Sequence, residues 1–273
     1  MNKEEKNTLA RFLDCASDYL GDGHAKNRKE YSFQDDEPAE LSAGDFSSLP
    51  LAYQVDEEEH EASDSNEDSI SPGSREGFAE ISAVIRDCTA CGLAAARINT
   101  VPGEGSSHPL VMVIGEGPGA EEDKTGRPFV GKAGQLLDKM LGSIGLFRDK
   151  NCYIANMVKC RPPDNRDPAP EEITACFPFM EQQILLLRPK VILCAGRIAA
   201  QNLLRTSQGI NALRGRFMDL KIGDDLTVPV LSTFHPSAIL REPHNYRRPA
   251  WEDLKLLRSK LGEFIDASPI PSP

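Results

Sequence analysis

The amino-acid sequence predicts an α/β fold in which a parallel sheet is covered by helices on both faces. Short apolar segments recur along residues 78–266, and a segment of helical length and periodicity follows each of them. This alternation is typical of parallel sheets, whose strands are joined by helices. The apolar segments do not alternate with polar residues, which indicates strands that are buried on both faces.

The individual elements follow in order from these patterns. A first helix begins near Phe78 and runs into Cys88. Strands are predicted at 110–114, 153–158, 191–195 and 228–234, and helices at 133–144, 171–187, 197–204 and 251–264. Ligand sites on sheets of this kind lie at the carboxyl ends of the strands.

The charge is distributed unevenly along the 273 residues, whose formal net charge is −11. Residues 1–80 hold 7 Lys and Arg against 21 Asp and Glu, whereas the remainder holds 24 against 21. We expect a short amphipathic helix at 1–21, an acidic disordered linker at 22–77, a catalytic domain at 78–266 and a disordered tail at 267–273. A mildly basic domain allows contacts with nucleic-acid phosphates.

No secretory signal and no apolar run long enough to span a membrane is visible, so we expect a cytoplasmic protein. Seven cysteines in a chain of this length are too few for a disulfide scaffold. Cys88 and Cys91 form a C-x-x-C pair, and Cys160 and Cys176 flank a proline-rich loop. These four suit zinc, an iron–sulfur cluster or unligated thiols, and the spacing does not choose among them. Cys152 and Cys194, within predicted strands, are expected in the core.

The first strand ends in the loop Gly115-Glu-Gly-Pro-Gly119, where glycines allow a ligand to approach the backbone. The loop partly matches a dinucleotide fingerprint, but no acidic residue ends the next strand. The segment 126–133 resembles a P-loop, but Ala133 replaces the magnesium-binding hydroxyl and residues 123–125 are predicted as loop, not strand.

Two further strand ends carry candidate functional side chains. Asn156 lies among apolar neighbours, where its amide either bonds nearby backbone or reads the edge of a base. His235 follows the fourth strand, directly before a proline turn, and could donate a hydrogen bond to charge that develops on a substrate.

These motifs together resemble the type 4 uracil-DNA glycosylases over residues 87–261. The resemblance lies in Cys88-Thr-Ala-Cys91, the Gly115 loop with Glu122-Asp123, Thr125-Gly-Arg-Pro-Phe-Val-Gly131, Asn156-Met-Val-Lys-Cys-Arg-Pro162 and His235-Pro-Ser237. It implies a three-layer α/β/α sandwich with a central four-stranded parallel sheet. It also implies one [4Fe-4S] cluster on Cys88, Cys91, Cys160 and Cys176.

The implied reaction is hydrolysis of the N-glycosidic bond of uracil in DNA, which releases free uracil and leaves an abasic site. By this resemblance, Phe129 would stack on the flipped base, Asn156 would pair with the edge of the base, and His235 would stabilise the charge at uracil O2. Gly115 and Gly117 would line the pocket, and Glu122 would lie beside uracil C5. Gly117 occupies a position where better-known relatives carry a carboxylate, so Glu116 is the candidate for holding the water or the sugar cation.

The resemblance also indicates the DNA contacts. Ile239 and Leu240 are candidates for an apolar wedge that fills the space left by the base. Candidate phosphate contacts are Lys159, Arg161, Arg166, Arg241, Arg247 and Arg248. We expect a monomer that binds uracil-containing DNA and no membrane, and no protein partner is indicated. A glycosylase of the same fold with another base preference and a non-catalytic iron–sulfur DNA-binding module are the alternatives.

Overall fold

The computed structural model describes residues 75–265, and a six-stranded sheet forms the centre of this part of the chain. The strands are β1 (Glu104–Gly105), β2 (Val111–Gly115), β3 (Cys152–Asn156), β4 (Val191–Ala195), β5 (Phe217–Ile222) and β6 (Leu226–Thr233). Their order across the sheet is β1-β3-β2-β4-β6-β5. The helix expected at 1–21, the acidic segment as far as residue 74 and the tail at 267–273 lie outside the described residues.

The four predicted strands form the parallel centre of the sheet. β2 pairs in parallel with β3 and with β4, and β4 pairs in parallel with β6. The prediction of four strands was incomplete, because β1 and β5 extend the sheet with antiparallel pairs at its two edges. The sequence held a signal for β5: apolar Met218, Leu220 and Ile222 alternate with polar residues, and Gly223, at φ +59°, turns the chain into β6.

Eight α-helices surround the sheet in residues 75–265. They are α1 (Arg75–Asp87), α2 (Ala120–Thr125), α3 (Lys132–Gly142), α4 (Pro170–Leu187), α5 (Arg197–Leu203), α6 (Ile210–Leu213), α7 (Pro236–Arg241) and α8 (Pro243–Ile265). Short 3₁₀ turns span Gly92–Ala95 and Pro163–Asn165. Residues 123–125, predicted as loop, are the last residues of α2, which ends at Gly126 in the left-handed conformation.

The helices lie in two layers because neighbouring side chains of each strand point to opposite faces. Val111 and Val113 of β2 pack in one core cluster with side chains of α3 and α8. Met112 and Ile114 pack in a second cluster with side chains of α4 and α5. This arrangement confirms the three-layer α/β/α sandwich. Within residues 75–265, no helix combines the length and apolar character needed to cross a membrane.

A buried carboxylate ties α8 to the sheet. Asp253 of α8 is fully buried and accepts hydrogen bonds from Arg214 Nε at 3.0 Å and Nη2 at 2.8 Å. The Thr233 hydroxyl, at the end of β6, donates to the same carboxylate at 2.7 Å. These bonds hold together the segment after α6, the end of β6 and α8. His235 comes two residues after Thr233, the last residue of β6.

Replacing Asp253 by alanine should lower the free energy of unfolding by about 3 kcal/mol or more, because it leaves the Arg214 guanidinium without its buried partner. Chemical denaturation measures the change. The exposed neighbour Glu252, whose ion pair with Lys255 lies at the surface, provides the control, and its alanine variant should lose less than about 1 kcal/mol. Equal losses in the two variants would contradict this role of Asp253.

Candidate active site

A cavity of about 580 Å³ opens at the carboxyl ends of the parallel strands. Every one of these strands contributes to its wall. Glu116 follows β2, Asn156 ends β3, Gly196 follows β4 and His235 follows β6. The structure therefore brings together the loop, the amide and the histidine that the sequence placed at separate strand ends.

Asn156 presents an unpaired amide oxygen at the base of this cavity. Its side chain is 2% exposed, and Oδ1 has no hydrogen-bond partner among the described residues. A buried amide oxygen without a partner is rare and costly, which indicates a ligand that donates to it. Gly115 makes room for this amide, since a Cβ there would lie 2.4 Å from Oδ1 and 2.5 Å from Phe129 Cζ.

Phe129 forms a second wall, in a backbone conformation that the surrounding residues impose. Its φ is +52°, which is unfavourable for a residue with a side chain. Arg148 donates to the carbonyl oxygens of Pro128 and Phe129, both at 3.0 Å. Gly134 allows this close packing, because a Cβ there would lie 1.9 Å from the Phe129 carbonyl oxygen. The aromatic ring is thereby held 5% exposed beside Asn156.

Glu122 connects the glycine loop to the Phe129 loop. Its carboxylate accepts hydrogen bonds from the backbone N–H groups of Gly119 at 3.0 Å, Val130 at 2.9 Å and Gly131 at 2.8 Å. The sequence resemblance placed Glu122 beside uracil C5, and the residue does line the cavity. The structure adds a role that the sequence did not indicate: this carboxylate holds two walls of the cavity together.

His235 faces the Phe129 ring, with the ring centroids 5.7 Å apart. The backbone N–H of Ser237 donates to His235 Nδ1 at 3.2 Å, so the neutral ring carries its proton on Nε2. Burial lowers the pKa of His235 to about 4; the charge of Arg241 adds to the shift and Glu122 opposes it. At neutral pH the residue is therefore an uncharged hydrogen-bond donor.

Glu116 lies in a mixed electrostatic environment at the cavity. Burial, together with the nearby Asp167 carboxylate, raises its pKa to about 7, and Arg197 and Arg241 oppose the shift. Asp167 pairs with Arg197 at 2.5 Å, and both residues line the cavity. Sequence reasoning missed this pair. The proline-rich loop was singled out for its flanking cysteines and for Arg161 and Arg166, but not for Asp167. Arg197 could have been found as a charge directly after a strand end.

The structure corrects two of the predicted DNA contacts. Ile239 is 2% exposed and belongs to the core, so it is not available as a wedge, whereas Leu240 is half-buried. Lys159 is 1% exposed and donates to two partners inside the protein, so it is not a phosphate contact. Arg161 is half-exposed and Arg241 is exposed on the cavity wall, so both stay predictions.

The four motif cysteines line one small, largely apolar cavity on the other side of the Asn156 segment, so the structure brings them together. Arg97 Nη1 lies 3.2 Å from Cys160 Sγ, and the Lys159 N–H lies 3.3 Å from Cys176 Sγ. Burial raises the pKa of the Cys176 thiol to about 11, and Lys159 opposes this shift. Among residues 75–265, no cluster of three or more Cys, His, Asp or Glu side chains is arranged to hold a metal ion.

The other two cysteines of the sheet lie where the sequence predicted them. Cys152 in β3 and Cys194 in β4 have no exposed surface, which confirms their assignment to the core.

The fold and the cavity define an α/β/α protein with a pocket at the carboxyl ends of its parallel strands. The family model of the Uracil DNA glycosylase superfamily matches residues 102–255. A type-4 uracil-DNA glycosylase of Pyrobaculum aerophilum is 42% identical over 190 residues, which are 68% of this chain and 95% of that protein. Its counterpart in Thermotoga maritima is 44% identical over 188 residues, with the same coverage of 68% and 95%. That of Archaeoglobus fulgidus is 40% identical over 193 residues, or 69% and 94%.

The chain belongs to the uracil-DNA glycosylase superfamily, and within it to the type-4 family.

Proposed function

We propose that this protein is a DNA-repair glycosylase, which hydrolyses the N-glycosidic bond of uracil in DNA, releases free uracil and leaves an abasic site. The observation that carries the proposal is the buried, partnerless Oδ1 of Asn156 beside the Phe129 ring. A pyrimidine base held flat against an aromatic ring, with its edge toward an amide, satisfies both features at once.

Recognition requires the base to leave the duplex, because Asn156 and Phe129 are almost fully buried and a base stacked within a helix cannot reach them. Flipping costs about a few kcal/mol, which contacts in the pocket offset. Phe129 stacks on the flipped uracil. Asn156 Oδ1 accepts from uracil N3–H, and its amide NH₂ donates to O4. Cytosine has no N3–H, so the same amide discriminates against it.

Cleavage breaks the bond between deoxyribose C1′ and uracil N1, and the bonding electrons stay on the base. His235 donates its Nε2–H to uracil O2, where negative charge develops, and the backbone N–H groups of Glu116 and Gly117 add to this stabilisation. A neutral imidazole suits this task because it can donate this hydrogen bond while carrying no net charge. The low pKa of His235 keeps it neutral throughout the physiological range.

Glu116 serves the sugar side of the reaction. Its carboxylate orients the water whose oxygen adds to C1′, and as an anion it stabilises the cationic sugar that cleavage produces. Since its pKa is raised to about 7, a substantial fraction is protonated at neutral pH. Only the deprotonated form accepts the proton of the attacking water.

The uracil-excision rate should therefore rise with pH through about 7 and then level off. Glu116→Gln should be slower and should lose this dependence. Asp167→Asn should move the midpoint to lower pH, because it removes a carboxylate that raises the pKa of Glu116. Single-turnover rates across about pH 5 to 9 measure the effect. An unchanged pH profile in Glu116→Gln would exclude Glu116 as the titrating group. His235 does not account for the dependence, because its pKa of about 4 lies below this pH range.

The DNA surface surrounds the mouth of the cavity. Arg241 on the wall and Arg161 beside the cysteine segment contact phosphates, which position the duplex without reading its sequence. Leu240, the half-buried residue next to Ile239, enters the base stack after the uracil has left it. The Asp167–Arg197 pair lines the same cavity as Glu116 and Arg241 and keeps an arginine close to the reacting sugar.

The donor set of the second cavity fits the [4Fe-4S] cluster that the resemblance implies. Its four thiols come from two segments, Arg97 and the Lys159 N–H already donate to two of the sulfurs, and the remaining lining is mostly apolar. Cys88, Cys91, Cys160 and Cys176 would hold the cluster. When bound, it would crosslink the segment after α1 to the segments after β3 and within α4.

Cys176→Ser should abolish most iron binding, because it removes one of four thiolates from this set. The purified wild-type protein should contain about four iron atoms per chain and absorb near 400 nm. Cys194→Ser provides a matched control within the core, since Cys194 lies in β4 away from the second cavity. Wild-type protein that binds zinc in place of iron after anaerobic purification would contradict the cluster assignment.

Asn156→Ala should reduce uracil excision about 100-fold or more, because it removes the amide that reads the base while leaving the cysteine cavity intact. The assay uses an oligonucleotide with one uracil, followed by alkaline cleavage of the abasic site. Asn202→Ala, on α5 and outside the cavity lining, should keep the wild-type rate. Absence of cleavage by the wild-type protein on single- and double-stranded uracil DNA would contradict the proposed function, and release of hypoxanthine instead would favour another base preference.

We assign this activity to residues 78–266, and we propose that the protein acts as a monomer. We also propose that it acts in the cytoplasm, on cellular DNA.

A further inference from the structure

The Lys159 side chain is among the largest that are fully buried in the described part of the chain. Burying an ammonium group is costly, and a lysine in this position needs hydrogen-bond partners to persist. It makes no ion pair with a carboxylate in residues 75–265; its partners are two neutral oxygens. Neither the DNA contacts nor the proposed reaction uses it.

The first partner is the main chain of the base-reading residue. Lys159 Nζ donates to the Asn156 carbonyl oxygen at 2.9 Å, three residues back along the chain. β1 and β3 pair as far as Glu104 opposite Ile154, and beyond this point the Val101 N–H donates to the Lys159 carbonyl oxygen, so Pro102 lies between the end of the ladder and this bond. Proline has no N–H to donate. The ammonium group therefore takes the place of the missing strand partner at the end of β3.

The second partner of the ammonium group is the side chain of Gln183. Gln183 Oε1 accepts from Lys159 Nζ at 2.7 Å. The amide orientation of Gln183 is set by its own donation, from Nε2 to the Pro102 carbonyl oxygen at 2.8 Å. Gln183 is fully buried in α4, so the ammonium group is held between a helix and the end of the strand.

Lys159 also lies between the two cavities. Its backbone N–H lies 3.3 Å from Cys176 Sγ, and its carbonyl oxygen accepts from the Val101 N–H at 2.7 Å. The main chain of Lys159 is thus fixed at the cysteine cavity, while its side chain ends at Asn156.

We propose that Lys159 is a positioning residue for base recognition: held by Gln183 and by the cysteine segment, its ammonium group fixes the Asn156 main chain, and so the amide that meets the base. This inference rests on the proposed function and assigns a further residue to it. Without the ammonium group, the Asn156 carbonyl and Gln183 Oε1 become buried acceptors with no donor, and the end of β3 has to shift to reach one.

The test uses Lys159→Met in the full-length, iron-loaded protein, because methionine keeps the unbranched shape and removes the donor. Lys190→Met, at an exposed lysine before β4, is the control. We expect Lys159→Met to excise uracil at least about 10-fold more slowly. The double variant with Asn156→Ala should be no slower than Asn156→Ala alone, since Lys159 acts through that amide. A general loss of structure would instead add to the Asn156→Ala defect.

A second readout does not depend on activity. The Asn156 side-chain NH₂ resonance, identified by its disappearance in Asn156→Ala, should shift in the ¹⁵N spectrum of Lys159→Met and stay in place in Lys190→Met. If Lys159→Met does not fold, Gln183→Leu replaces it in both measurements, with the exposed neighbour Gln182→Leu as its control.

A wild-type excision rate with an unmoved Asn156 resonance would overturn the proposal, and so would a defect that adds fully to Asn156→Ala. Failure of the proposed function gives a different result, because the wild-type protein would then release no uracil. The resonance comparison would still decide whether Lys159 positions Asn156.

Discussion

The parallel pairing of β2 with β3 is the interaction on which the site depends. Its register sets Gly115 opposite Asn156 at the carboxyl end of both strands. The pairing continues beyond the strands, since the N–H groups of Met157 and Val158 donate to the carbonyl oxygens of Gly115 and Glu116. A slip of one residue would turn the Asn156 side chain to the other face of the sheet. Backbone hydrogen bonds therefore determine that the glycine loop and the Asn156 amide face one cavity.

Three polar side chains hold the walls of the cavity in place, and one of them, Lys159, is fully buried. Glu122 joins the glycine loop to the Phe129 loop, and Arg148 holds the Phe129 main chain in its unfavourable conformation. Lys159 donates a hydrogen bond to the Asn156 carbonyl oxygen. Such supports restrict the side chains to one geometry before a ligand arrives, which reduces the entropic cost of recognition.

The sequence predicted the parallel strands and the strand-end residues well, because buried strands and the loops that follow them leave local patterns. The predictions from sequence were wrong where the burial of a side chain depends on tertiary contacts. Ile239 and Leu240 were both predicted as wedge candidates, yet α7 places Ile239 in the core and leaves Leu240 half-buried. Lys159 was expected to bind phosphate, since lysines are rarely buried, and only the positions of Gln183 and Pro102 explain its burial.

The central claim is that the unpaired oxygen of Asn156 meets the N3–H edge of a pyrimidine. Titration of the ¹⁵N-labelled protein with free uracil and with 3-methyluracil tests this claim directly, because the methyl group removes the donor and leaves the ring able to stack on Phe129. If the claim holds, uracil shifts the Asn156 side-chain resonance and 3-methyluracil binds at least about 10-fold more weakly. Equal affinity for the two compounds, with the Asn156 resonance unmoved by either, would contradict it.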